Sequence, residues 1–232
     1  MTFLQVEPTT RCNLDCTYCT KKEPDRDLHP DTLEHLILKH KPYVVKLQGL
    51  GEPFLAKNIT NLCKLCKKHG CYVLVTTNGT LLNYDALHYI DRITFSIDSL
   101  DKTTFNKTRN ANLDKVLFNL HEVRTRYPKV KVGINQVVSH FTSTTDTQDL
   151  VEFCRTFGLT LHSNRIVNFN IEPNYMVRLE RNVNGPYAKW KPRCLWGTKW
   201  FYYNANGESH PCCVRMNDVY IDRTDTCENC PD

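Results

Sequence analysis

Six short apolar runs, each separated from the next by an amphipathic stretch, limit what this chain can fold into. The runs fall at residues 3–6, 43–47, 72–76, 92–97, 130–138 and 159–166. Helix candidates lie between them at about 31–40, 58–69, 81–89, 112–127 and 146–157. In the fourth of these, Leu113, Val116, Leu117, Leu120 and Val123 recur at helical spacing. Strands that alternate with helices form βα units and pair in parallel. A closed eight-unit barrel takes about 250 residues. Six units in roughly the first 170 of 232 residues predict an α/β fold, an open partial (β/α)6 barrel of the TIM type. The expected division is residues 1–175 for the barrel and 176–232 for a small second domain.

Polar punctuation gathers at one end of these runs. The first leads into Arg11-Cys12-Asn13-Leu14-Asp15-Cys16-Thr17-Tyr18-Cys19. The second leads into Gln48-Gly49-Leu50-Gly51-Glu52-Pro53, and the third into Thr76-Thr77-Asn78-Gly79. The fourth ends in Ser96-Ile97-Asp98-Ser99, and the fifth carries Asn135. A polar βα turn means little alone. Five on the side where βα barrels build their sites predict one composite site.

The cysteines say what chemistry that site holds. Cys12, Cys16 and Cys19 form a C-x3-C-x2-C run, and three thiolates cannot fill a four-cysteine metal site. If they hold a cubane iron–sulfur cluster, one iron lacks a protein thiolate and is open to a substrate or cofactor. This run resembles the cluster loop of the radical S-adenosylmethionine (radical SAM) enzymes. The ordered strand-end motifs extend the resemblance over about residues 1–170. It implies that SAM chelates the open iron through its amino and carboxylate groups. One-electron reduction then yields methionine and a 5′-deoxyadenosyl radical.

The resemblance also implies site residues. Gly49-Leu50-Gly51-Glu52-Pro53 is similar to the family's "GGEP" segment with a leucine inserted, a segment that meets the methionyl amino group. Close backbone approach of this kind is what glycine permits. Ser96 and Asp98, two apart on an expected strand, share a face and imply contacts to the ribose and methionyl group. Arg109 stands where many members place a base for the SAM carboxylate, a charge-assisted contact. The plain alternative for Arg109 is a solvated surface arginine. Tyr18 matches the family's aromatic near the adenine, and Asn78 and Asn135 complete the expected SAM-binding set.

Residues beyond the sixth run read differently. Cys194 and Cys212 bracket Trp196, Trp200-Phe201-Tyr202-Tyr203 and Asn204-Ala205-Asn206-Gly207. That is a β-hairpin pattern: aromatic strand, turn, and return through His210-Pro211-Cys212. Cys227-Glu228-Asn229-Cys230 supplies two more thiols. Four cysteines saturate a cubane or a zinc ion. The Cys194-x12-Gly207-x4-Cys212 spacing resembles the opening of a SPASM domain, and the remaining cysteines fit its truncated form, the twitch domain. That resemblance implies an auxiliary [4Fe–4S] cluster on Cys194, Cys212, Cys227 and Cys230, with structural zinc as the alternative. Cys213 is then a spare thiol, an alternative ligand to Cys212 and a candidate hydrogen-atom donor.

Of the 12 cysteines, Cys63 and Cys66 share an apolar helix face with Ile59 and Leu62, and Cys154 sits with Leu150 and Val151. These read as buried apolar side chains. Cys71 has no assignment. The absence of a charged-then-apolar leader and the use of cysteine for metal chemistry suggest a reduced, cytoplasmic protein. No apolar run is long enough for a transmembrane helix, so no membrane partner is expected. The formal charge of +5 falls to about +2 once two clusters are bound, which gives nucleic-acid binding only weak support. An electron donor such as flavodoxin or ferredoxin is the expected protein partner.

The leading expectation is oxidation, a dehydrogenation, of a small polar metabolite. Radical epimerisation, rearrangement, or modification of a nucleotide, nucleic-acid base or peptide are the alternatives. A non-enzymatic zinc protein that binds nucleic acid is the contrasting class. It gives no reason for an asymmetric three-cysteine loop.

Overall fold

A computed structural model describes residues 2–19, 24–168, 177–181 and 200–210. The six expected strands are β1 (Phe3–Val6), β2 (Val44–Leu47), β3 (Tyr72–Thr77), β4 (Arg92–Ser96), β5 (Lys131–Val138) and β6 (Thr160–Asn168). Three more follow: β7 (Val177–Arg181), β8 (Trp200–Tyr203) and β9 (Ser209–His210). The helices are α1 (Pro30–His40), α2 (Ile59–Lys68), α3 (Tyr84–Leu87), α4 (Lys102–Arg109), α5 (Leu113–Arg126) and α6 (Thr144–Phe157).

One sheet runs in the order β7-β6-β5-β4-β3-β2-β1-β8-β9. β1 to β6 and β8 are mutually parallel, and β7 and β9 pair antiparallel at the two ends. The βα alternation is therefore as expected, with one parallel strand more than the pattern counted. The aromatic hairpin forms, with Tyr202 opposite His210. Its first strand also lies beside β1, Phe3 against Trp200 through Val6 against Tyr203. His40 of α1 clasps this strand, stacking on Phe201 at 4.0 Å and bonding the Tyr203 hydroxyl at 2.7 Å.

The two faces of the sheet differ in chemistry. Strand side chains alternate between faces, and register aligns them across parallel neighbours. One face presents Leu4, Val6, Val45, Leu47, Val73, Val75, Ile93, Phe95 and Ile134, all fully buried. They form the core with Leu33 and Ile37 of α1, Ile59 and Leu62 of α2, Val116 and Leu120 of α5, and Leu150 of α6. Cys63, Cys66, Cys71 and Cys154 are buried in the same core, so the apolar reading of three of them holds. The other face carries Gln5, Lys46, Thr76, Thr94, Ser96, Asn135 and His162, and none of these belongs to that core.

Two helix expectations need correction. The stretch 81–89 yields only the single turn α3, because the Asn83 side chain caps the Ala86 amide and fixes the start at Tyr84. Helix α4 was not anticipated. Its sequence, KTTFNKTR, buries only Phe105, Thr108 and Arg109, so it lacks a broad apolar stripe. Its caps hold it instead. Asp101 accepts from the Thr104 amide at 2.7 Å, and Asn110 ends it at φ 50°. No described helix is long and apolar enough to cross a membrane.

Candidate active site

The loop that follows β1 carries the three cysteines, and contacts from four directions fix its path. Thr9 and Thr10 bond the Arg26 carbonyl, and Thr10 Oγ1 also donates to the Pro24 carbonyl at 2.7 Å. Arg11 Nη2 donates to Asp27 Oδ1 at 2.6 Å and to the Leu55 carbonyl at 2.9 Å. Asn13 reaches Thr80 at 2.9 Å and Asn78 at 3.0 Å, both just past β3. The Thr17 amide and hydroxyl both donate to the Thr108 carbonyl of α4. Tyr18 donates to Asp98 at 2.8 Å.

The segment after β2 supports this loop from below. A Cβ on Gly51 would stand 2.0 Å from the Thr9 carbonyl oxygen, and one on Gly49 would stand 2.2 Å from Glu7 Cγ. Both glycines thus serve close approach, as expected, but toward the cysteine loop. The Glu52 amide donates to the Arg11 carbonyl at 2.7 Å. Its buried carboxylate accepts from Thr77 Oγ1 at 2.7 Å, the Asn78 amide at 2.6 Å and the Phe54 amide at 3.1 Å. Glu52 therefore pins the end of β3 to the end of β2. Glu7, which sequence reasoning missed, accepts from the Leu50 amide at 2.5 Å.

Burial pushes the Glu52 carboxyl up to about 7 from 4.5, against the pull of its hydrogen bonds to Asn78, Thr77 and Phe54 and of the Arg109 charge. A raised pKa means that the folded state holds a proton that the unfolded chain has lost. The associated stability is present below pH 4.5 and is lost as pH rises through about 7. Its size is ~3 kcal/mol. Glu52→Gln should remove this decline. The check is urea unfolding of both proteins between pH 4.5 and 8. Parallel pH profiles for wild type and variant would refute the assignment.

Beyond β4 the chain turns inward. Asp98 was expected on the strand beside Ser96, but β4 ends at Ser96 and Asp98 lies past it with no solvent exposure. Its carboxylate accepts from Arg109 Nη2, Tyr18 Oη and the Val137 amide, each at 2.8 Å. Arg109 is 5% exposed, which rules out a solvated surface arginine. Burial would lower its pKa, but Asp98 and Tyr18 hold it above its ordinary value. The same burial raises the Tyr18 phenol. Gln136 was also missed. Buried on β5, it donates to the Asp98 carbonyl at 3.0 Å and to Thr147 at 3.1 Å. Its neighbour Asn135 pairs in register with Ser96 and accepts from Asn164 at 2.9 Å.

Cys12 and Cys16 are partly buried and Cys19 is exposed, and none of the three is in a disulfide. Asn78 Nδ2 lies 3.9 Å from Cys12 Sγ, and Cys16 Sγ lies 3.9 Å from the Arg109 carbonyl. Burial pushes the Cys16 thiol up to about 11; Arg109 pulls it down, and the nearby Cys19 and Cys12 raise it further. Among the described residues no three His, Cys, Asp or Glu side chains meet at metal-binding geometry. The donor set still suits an iron–sulfur cluster: three thiols on one anchored loop, beside a buried arginine. Arg109 Nε is itself buried without a partner, a donor suited to an anion such as a carboxylate. Cys194, Cys212, Cys213, Cys227 and Cys230 lie outside the described residues.

Comparison with known proteins agrees with this geometry. The model of the radical SAM superfamily matches residues 6–154. A GTP 3′,8-cyclase of Rhizobium etli is 33% identical over 180 residues, 69% of this chain and 50% of that protein. One from Clostridium perfringens is 30% identical over 165 residues, 64% of this chain and 50% of that protein. The chain thus spans about half the length of the curated relatives it matches. Streptococcus suis SuiB bound to S-adenosylmethionine superposes with a TM-score of 0.73 at 18% identity, covering 94% of this chain and 62% of that one. BtrN in complex with AdoMet and 2-DOIA gives 0.53 at 15% identity, with 93% and 74% covered. These two likenesses concern the fold, that of a radical SAM partial barrel.

Proposed function

The chain belongs to the radical SAM superfamily, and from that premise we propose that it cleaves SAM to start radical chemistry on a nucleotide. Family membership implies SAM and a [4Fe–4S] cluster, and it sets aside the non-enzymatic zinc reading. In this proposal Cys12, Cys16 and Cys19 hold that cluster. A reduced cluster held there would supply the electron for reductive cleavage of SAM to a 5′-deoxyadenosyl radical.

The protein's own part is positioning and exclusion of water. Gly49 and Gly51 let the segment after β2 lie against the cysteine loop. Glu52 fixes that segment to Asn78, and the Asn78 amide group faces Cys12. Arg109 and Asp98 lock the loop through Tyr18, and the unpartnered Arg109 Nε is the donor offered to the SAM carboxylate. Ser96 and Asn135, side by side in register, are proposed to complete the SAM contacts.

A nucleotide substrate is favoured over dehydrogenation of a small polar metabolite because the curated relatives are named as GTP 3′,8-cyclases. The likeness to BtrN is one of fold alone, and fold does not fix a substrate. We extend the proposal to a second [4Fe–4S] cluster on Cys194, Cys212, Cys227 and Cys230, and to flavodoxin or ferredoxin as electron donor.

The observation that carries the reading is the cysteine loop fastened to the carboxyl ends of β2, β3 and β4. The test is anaerobic reconstitution with iron and sulfide. About eight iron atoms per chain are expected. With SAM and dithionite, 5′-deoxyadenosine should form, and a nucleoside triphosphate should accelerate it. No 5′-deoxyadenosine would end the enzymatic reading, and formation indifferent to every nucleotide would end the substrate reading.

A further inference from the structure

The sheet face opposite the helices is layered by charge. Register partners on five adjacent strands, Gln5, Lys46, Leu74, Arg92 and Lys131, make one row. Two residues further on, Thr76, Thr94, Gly133 and Thr160 make the next. Ser96, Asn135 and His162 make the third, nearest the cysteine loop. Successive rows are about 7 Å apart along the strands. The first row holds three cations. On this face β1 to β6 carry no Asp or Glu in any row. Lys46 and Arg92 stand two strands apart, about 10 Å.

The second row is neutral, and the serine of the third row continues it with another hydroxyl. Thr76, Thr94 and Ser96 are 9%, 6% and 9% exposed. None of their three hydroxyls is hydrogen-bonded within the described residues. Gln48, which extends β2 by pairing with the Val6 carbonyl, has a buried Oε1 without a partner. Arg92 bonds Thr160 at 3.2 Å through Nη2, which places its side chain on this face, and its buried Nε has no partner. On this face Gln48 Oε1 and Arg92 Nε are the buried polar atoms without a partner among the described residues, and each such atom costs about 1–3 kcal/mol when left unpaired.

We infer that this face is the substrate subsite and that it binds a nucleoside phosphate end-on. The phosphates rest on the Lys46–Arg92 row. The neutral sugar or base meets the hydroxyls of Thr76 and Thr94 and the Gln48 carbonyl. The end to be attacked lies at the Ser96 row, beside the cysteine loop. A cationic floor selects an anion, and Gln48 Oε1 selects a donor such as a ring N–H, an exocyclic amine or a sugar hydroxyl. This rests on the nucleotide reading above and assigns residues to it.

The test is equilibrium dialysis of ATP, GTP, CTP and UTP, their nucleosides, and tripolyphosphate against the reconstituted enzyme. At least one triphosphate should bind more tightly than both its nucleoside and tripolyphosphate. Lys46→Gln and Arg92→Gln should each weaken that triphosphate about tenfold and leave the nucleoside unchanged. Thr94→Val should weaken both. Lys46→Arg, which keeps the charge, should retain binding, and each variant must melt as wild type does. If a triphosphate binds and stimulates SAM cleavage but the glutamine variants bind it as wild type does, the subsite is wrong and the function stands. If tripolyphosphate binds as tightly as the triphosphate, the face is an anion site only. If no nucleotide binds wild type or stimulates it, the nucleotide reading itself falls.

Discussion

Changing Cys12, Cys16 and Cys19 together to alanine is expected to reduce 5′-deoxyadenosine formation to background and to remove about four iron atoms per chain. It should do so without unfolding the protein. The loop's path rests on Thr9, Thr10, the Arg11–Asp27 pair, Asn13, the Thr17 contacts to Thr108 and the Tyr18–Asp98 bond. The sulfur contacts of Cys12 to Asn78 and of Cys16 to the Arg109 carbonyl are long, at 3.9 Å, and the Cys19 amide to Cys16 carbonyl bond survives in alanine. Truncating three side chains, none of them buried in the core, should cost at most about 1–2 kcal/mol in the cluster-free protein. Iron analysis, SAM cleavage under dithionite and thermal melting of the cluster-free forms read the three effects separately. Undiminished cleavage would remove the loop from the mechanism. A collapsed melting curve would show that the thiols, and not the hydrogen bonds, hold the loop.

Local sequence carried the strands because each is a β-rich run with turn residues behind it. It carried the chemistry of the two sheet faces as well: in Val44-Val45-Lys46-Leu47 and Thr94-Phe95-Ser96 alternate residues already differ in polarity. It did not carry the pairing of β8 with β1. That contact joins residues almost 200 apart, and nothing in the periodicity of an aromatic hairpin names its partner strand. Helix α4 was hidden because caps sustain it more than an apolar stripe does. In the site, the glycines were legible as places of close approach. What approaches them was not, since Thr9 and Glu7 are neighbours only in the fold. The same holds for Arg11 and Asp27, 16 residues apart in sequence. Arg109 is the clearest case. Composition allows a wet arginine there, and only the fold shows it buried against Asp98.

Asp98→Ala is expected to destabilise the protein by about 3–5 kcal/mol, more than any other single change in the site. The carboxylate is fully buried and satisfies three donors: the Arg109 guanidinium, the Tyr18 hydroxyl and the Val137 amide. Removing it strands a cation that is 5% exposed and whose Nε is already unpartnered. Tyr18→Phe deletes one hydrogen bond to a charged acceptor and should cost about 1.5–3 kcal/mol. Its effect should concentrate in faster hydrogen exchange of the cysteine loop, which Tyr18 ties to the barrel. A double change separates the causes. If the stranded charge is the main cost, Asp98→Ala with Arg109→Leu should regain much of the loss, because a buried ion pair replaced by apolar groups is often near neutral. SAM affinity, measured by dialysis, should not return in that double variant, since the donor proposed for the SAM carboxylate is gone. Equal loss of stability in the single and double variants would shift the cost from the charge to the Tyr18 and Val137 bonds. Recovery of both stability and SAM affinity would leave Arg109 as a counter-ion and nothing more.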